Sequence, residues 1–66
     1  MRVKVNGKEY VIPDGLTVRG MLSYFKINEN FVAVERNKEI VPKKEWDNVY
    51  VCENDVFEIV TFVGGG

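Results

Sequence analysis

Arg2-Val3-Lys4-Val5-Asn6-Gly7-Lys8-Glu9-Tyr10-Val11-Ile12 is the stretch from which the fold can be read. Arg2 to Val5 alternates polar and apolar, the period of a half-buried strand. Asn6-Gly7 is the dipeptide best suited to the two positive φ angles of a type I′ hairpin turn. Glu9-Tyr10-Val11-Ile12 reads as the returning strand, and Pro13-Asp14-Gly15 as the turn that closes it. The chain therefore opens with a β-hairpin.

Periodicity then changes. Thr17 suits a helix N-cap, and Val18, Met21, Leu22 and Phe25 follow at i, i+3, i+4 and i+7, one apolar face to be laid on a sheet. Gly20 lies inside this helix and either admits a close approach to the sheet or is tolerated at a cost of up to ~1 kcal/mol. Asn28 and the polar residues around it are expected to end the helix, with Ile27 folding back on the core.

Phe31-Val32-Ala33-Val34-Glu35 reads as a strand that is buried on both faces or central. Arg36-Asn37-Lys38 turns into a brief strand at Glu39-Ile40-Val41. Pro42 suits the first position of a helical turn ending at Trp46, a core residue. Tyr50-Val51-Cys52 is apolar, and Cys52 reads as a packing residue. Glu53-Asn54-Asp55 turns into the final strand, Val56 to Val63. Its alternation sets Phe57 and Ile59 toward the helix and Glu58, Val60 and Phe62 on the open face. Hairpin, helix, two short strands, helical turn and final strand describe a β-grasp: one helix across a mixed sheet of four or five strands.

With 66 residues the chain is one domain with a small core, and 45% hydrophobic with 29% charged residues is a globular composition. A single cysteine and no histidine exclude an internal disulfide, a Cys/His zinc site and a histidine general base. The cysteine usage points to a reducing compartment, so a cytoplasmic protein is expected. A net charge of -1 gives no basic footprint for nucleic acid, and no apolar run approaches the ~20 residues of a membrane span. Catalysis by this chain alone is not expected, nor is a metal or cofactor held by it.

The end of the chain, Val63-Gly64-Gly65-Gly66, sets a domain at residues 1–63 against a flexible tail at 64–66. Three residues without Cβ have little to bury and much conformational freedom to lose. They can carry a terminal carboxylate about 10 Å beyond the last strand, through a channel too narrow for a side chain. The same glycines are also compatible with an incidental frayed end.

Val32-Ala33-Val34-Glu35-Arg36-Asn37, then Ile40-Val41-Pro42 and Trp46, then Glu58-Ile59-Val60 leading to Phe62-Val63-Gly64-Gly65-Gly66, resembles the ThiS family. These are ubiquitin-like β-grasp sulfur carriers of thiamin thiazole synthesis. The hairpin and the helix start match as well, so the resemblance runs the length of the chain. Asn54 stands where the family usually has glycine before aspartate, and asparagine tolerates the left-handed conformation such a turn requires.

The resemblance implies that Gly66 is adenylated by a separate E1-like enzyme of the ThiF type, using ATP and magnesium. A sulfur donor such as a cysteine desulfurase would then convert it to a thiocarboxylate, and a ThiG-type thiazole synthase would accept the sulfur. Gly64 and Gly65 would thread the partner's active site. Val60, Phe62 and Val63 are expected to contact partners, and the acidic Glu53, Asp55 and Glu58 either steer the carrier toward a basic surface or form a solvated charged edge. A molybdopterin-type carrier, a ubiquitin-like modifier and a non-covalent β-grasp binding module stay open at this point.

Overall fold

Asn6 and Gly7 take φ angles of 51° and 84°, the paired positive values of a type I′ turn. They join β1 (Arg2–Val5) to β2 (Lys8–Val11) with Val5 opposite Lys8. The computed structural model describes residues 1–62. In chain order there follow α1 (Val18–Tyr24), β3 (Val32–Arg36), β4 (Glu39–Val41) and β5 (Val56–Thr61), with 3-10 turns at Glu29–Phe31 and Lys43–Glu45. The sheet has five strands in the order β2-β1-β5-β3-β4. β5 runs parallel to β1 and antiparallel to β3, and the other pairings are antiparallel.

The central strand is β5, not β3 as the apolar run at Phe31 to Glu35 suggested. β3 is interior, between β5 and β4, and only Val32 and Val34 are buried while Ala33 and Glu35 are half-buried. The reason is that α1 covers one face of the sheet, so even an interior strand alternates. Phe31 lies outside the strand, in the 3-10 turn, and is exposed.

Thr17 caps α1 as its sequence implies: its Oγ1 accepts from the Gly20 N–H at 3.0 Å. The helix stops earlier than Asn28. Lys26 takes φ 60°, its N–H donates to the Ser23 carbonyl at 3.0 Å, and the Ile27 N–H donates to the Leu22 carbonyl at 2.9 Å. These two bonds form a Schellman ending, which returns Ile27 to the core beside Leu22. A non-glycine residue in this conformation costs roughly 1–2 kcal/mol, so no local sequence signal marks Lys26 as the helix end. Asn28 instead caps the following turn, its Oδ1 accepting from the Asn30 N–H at 3.0 Å.

The core joins Val3 of β1, Met21 and Leu22 of α1, Val34 of β3 and Phe57 of β5 to Trp46, which is 2% exposed. Its indole Nε1–H donates to the Val41 carbonyl at 2.9 Å, so the ring is packed without an orphaned donor. The Arg19 guanidinium lies 5.7 Å from the ring centroid and binds Asp47 and Glu29, tying α1 to the turn that carries Trp46. Pro42 stands one position earlier than expected, as the residue before the 3-10 turn, with φ -60° and ψ 143°.

Gly20 is not a point of close approach to the sheet. A Cβ there would meet Leu16 and Thr17 side-chain atoms at 3.4 Å, an ordinary contact. Gly20→Ala is expected to raise the unfolding free energy by about 0.5–1 kcal/mol, because the helix keeps its contacts and the unfolded chain loses freedom. Denaturant titration of the two proteins checks this, and a lower stability for the alanine variant contradicts it.

Candidate functional site

The strand that leads to the glycines is held at three places along its length. At its start, Asp55 is buried and its carboxylate is fully engaged. Oδ2 accepts from the Cys52 N–H and the Arg36 Nε–H, each at 2.8 Å, and Oδ1 accepts from the Asn37 side-chain amide at 3.0 Å. Asn37 Oδ1 in turn accepts from the Val56 N–H at 2.9 Å, so the β3–β4 turn is bolted to the first residue of β5. Asn54 before it has φ 68°, the left-handed geometry anticipated for that position.

In the middle, Asn6 does more than make a turn. Its Oδ1 accepts from the Ile59 N–H at 2.7 Å, and its Nδ2–H donates to the Ile59 carbonyl at 3.1 Å. An amide carries one acceptor and two donors in a plane, so it copies a peptide group and extends the β1–β5 ladder past the end of β1. The sequence by itself marks Asn6 only as a turn residue. Gly–Gly or Asp–Gly serves the same turn but lacks that paired donor and acceptor.

At its end, the strand is shorter than the expected Val56 to Val63. Pairing runs to Val32↔Thr61, after which the Phe62 N–H donates to the Phe31 carbonyl at 2.9 Å. Val63, Gly64, Gly65 and Gly66 lie outside the described residues, and with them the proposed boundary between domain and tail.

Val60 and Phe62 are on the open face as expected, 60% and 44% exposed. Register adds neighbours that sequence reasoning did not assemble: Ala33 opposite Val60, Glu35 opposite Glu58, and the exposed Ile40 opposite Glu35. Only the strand order brings Ala33 and Ile40 to this place.

Two readings are corrected. Asp55 belongs to no exposed acidic set, since burial and the bonds to Arg36, Asn37 and Cys52 enclose it. Cys52 is exposed and packs no core. The chain turns just after it, its carbonyl accepting from the Asp55 N–H at 3.1 Å, and Val51 alone points inward. Among the described residues no group of three acidic or cysteine side chains is placed to hold a metal ion, and no helix is long and apolar enough to cross a membrane.

Burial alone would raise the Asp55 carboxyl, but the bonds from the Cys52 N–H, Arg36 and Asn37 outweigh it and hold its pKa below the ordinary carboxylate value. The same hydrogen bond raises Arg36 against a smaller opposing effect of burial.

One helix laid across a five-stranded mixed sheet, with the last strand central and parallel to the first, defines a ubiquitin-like β-grasp protein. Residues 2–66 match the ThiS family, and the chain belongs to that family of sulfur carrier proteins. It is 42% identical over 65 residues to the sulfur carrier protein ThiS of Bacillus subtilis, covering 97% of this chain and 98% of that one. The crystal structure of the thiamine biosynthesis protein ThiS from Geobacter metallireducens superposes with a TM-score of 0.85 at 33% identity over the whole of both chains. A thiazole synthase of Paramagnetospirillum magneticum is 42% identical over all 66 residues, which span 20% of its length.

Asp55 gives a pH signature. A depressed folded-state pKa stabilises the fold fully above the unfolded value of 3.8, and that contribution is lost as pH falls below it through the folded value. Asp55→Asn is expected to cost on the order of 2–4 kcal/mol at pH 7, by leaving Arg36 without its carboxylate, and to flatten the acid limb of stability below about pH 4. Urea titrations of both proteins from pH 7 to pH 2 check the sign, and parallel acid limbs would contradict the assignment.

Proposed function

We propose that this carrier presents Gly66 as its reacting group and acts as a co-substrate, not as a catalyst. The observation that carries the reading is a family match that extends through residue 66 and so includes the glycines. A terminal carboxylate, with a pKa of about 3.3–3.7, is ionised at neutral pH and resists attack by sulfur. Its oxygen attacks the α-phosphorus of ATP on an E1-like adenylating enzyme of the ThiF type, pyrophosphate leaves, and an acyl-adenylate forms. A persulfide sulfur, supplied through a donor such as a cysteine desulfurase, displaces AMP. Reduction of the acyl disulfide by a thiol leaves the thiocarboxylate, which a ThiG-type thiazole synthase accepts.

ATP and magnesium belong to the adenylating enzyme in this scheme, and this chain binds no cofactor of its own. The likeness to one end-to-end stretch of a thiazole synthase supports that enzyme as the acceptor. Gly64 and Gly65 thread the partner's channel because they have no Cβ, and Val60, Phe62 and Val63 dock beside its mouth. Exposed apolar groups adjoining a functional terminus support the docking assignment.

Incubation with the adenylating enzyme of the same genome, ATP and a sulfur donor is expected to shift the intact mass by replacement of one oxygen with sulfur, and deletion of Gly66 to abolish the shift. An unchanged mass with partner and ATP shown to be active overturns the carrier reading of the tail. Phe62→Asp is expected to slow activation by tenfold or more, on the order of the loss of one interface anchor, with an unaltered unfolding midpoint. The midpoint should hold because the ladder uses the Phe62 backbone N–H and not the ring. Activation at the wild-type rate removes Phe62 from the docking surface.

A further inference from the structure

The open face carries a charge arrangement that the fold does not use. Glu35 of β3 stands directly opposite Glu58 of β5. Opposed residues of an antiparallel pair hold their Cβ atoms about 4.5–5.5 Å apart, where like charges repel. Among the described residues the ion pairs join Arg2 to Glu9, Arg19 to Glu29 and Asp47, Arg36 to Asp55, and the N-terminal ammonium to Asp14, and none reaches Glu35 or Glu58.

On the β3–β4 side the frame around this pair is apolar, while on the β1 side the exposed Lys4 stands opposite Val56, two residues before Glu58. Ala33 faces Val60 across the strands, Phe62 follows two residues on, and the exposed Ile40 flanks Glu35 on β4. In water the two carboxylates are hydrated and their repulsion is modest. A partner that covers Val60, Phe62 and Ile40 strips that water as well. Burying two like charges without a counter-charge is prohibitive, so a purely apolar or acidic partner is rejected. A partner that brings a cation to the centre of its own apolar patch turns the same repulsion into attraction. A guanidinium fits better than an ammonium, since its planar fork donates to two carboxylates at once and is more weakly hydrated.

We propose that the open sheet face docks the adenylating partner by seating one of its arginines between Glu35 and Glu58, with Val60, Phe62 and Ile40 covering the apolar surround. The proposal rests on the carrier reading above and names the chemistry of the surface that receives it. The pair is a selectivity element, kept at a small cost to the free carrier.

Calorimetric titration of the full-length chain into the adenylating enzyme of its own genome, without ATP, tests docking apart from chemistry. Wild type is compared with Glu35→Gln, Glu58→Gln, the double variant, and Glu45→Gln as a control that changes net charge on an exposed turn. The double variant is expected to weaken Kd by about tenfold or more, to lose most of the salt dependence of wild type, and to unfold at the same or a higher temperature. Glu45→Gln is expected to bind as wild type. Equal Kd for wild type and double variant overturns the proposal, as does equal weakening by the control, a lowered unfolding midpoint, or no binding by wild type. The thiocarboxylate on Gly66, read separately by mass, decides the carrier reading whichever way the titration falls.

Discussion

The insertion of β5 between β1 and β3 is the constraint on which the rest of the structure depends. A central strand must satisfy backbone groups on both edges, and its partners here are the first strand of the chain and the mid-chain β3. The pairing Lys4↔Val56 closes nearly the whole sequence into one loop, at a cost in chain entropy that local structure cannot recover. What offsets it is burial of Phe57 and Ile59 against Met21 and Leu22 of the helix. The parallel ladder itself is short, and polar side chains complete it. Asn6 supplies a peptide-like pair at Ile59, and Asp55 with Asn37 secures the strand's first residue.

This anchoring has a functional consequence. The strand that leads to the glycines is the central strand of the sheet, held from Asp55 to the Phe62 N–H. Under the proposed carrier reading, a reacting end beyond this strand would start from a fixed point on a rigid body. The proposed docking residues sit at the end of the same strand, Val60 within it and Phe62 just after it.

The small size of the domain explains the use of polar locks. With one cysteine and no disulfide, the core alone gives little margin. Trp46 adds a large buried surface with its donor satisfied by Val41, and Arg19 of α1 binds that turn through Asp47 and the Glu29–Phe31 turn through Glu29. Asp55 is the residue in which sequence and structure diverge most. Its charge reads as surface, yet three donors make it interior.

Much of the architecture was legible in the residues. Asn6-Gly7 fixes a hairpin because its type I′ geometry matches strand twist, and Thr17 with Val18, Met21 and Leu22 fixes a helix and its buried face. Alternation along Val56 to Phe62 likewise separates Phe57 and Ile59 from Val60 and Phe62. These are local rules, in which a residue's neighbours in sequence decide its state. The tertiary structure alone decided that β5 is central, that Asp55 is buried, that Cys52 is exposed, and that Glu35 faces Glu58 beside Ala33 and Ile40. Each depends on which strand lies next to which, and that is settled by long-range closure and not by the chemistry of any one segment.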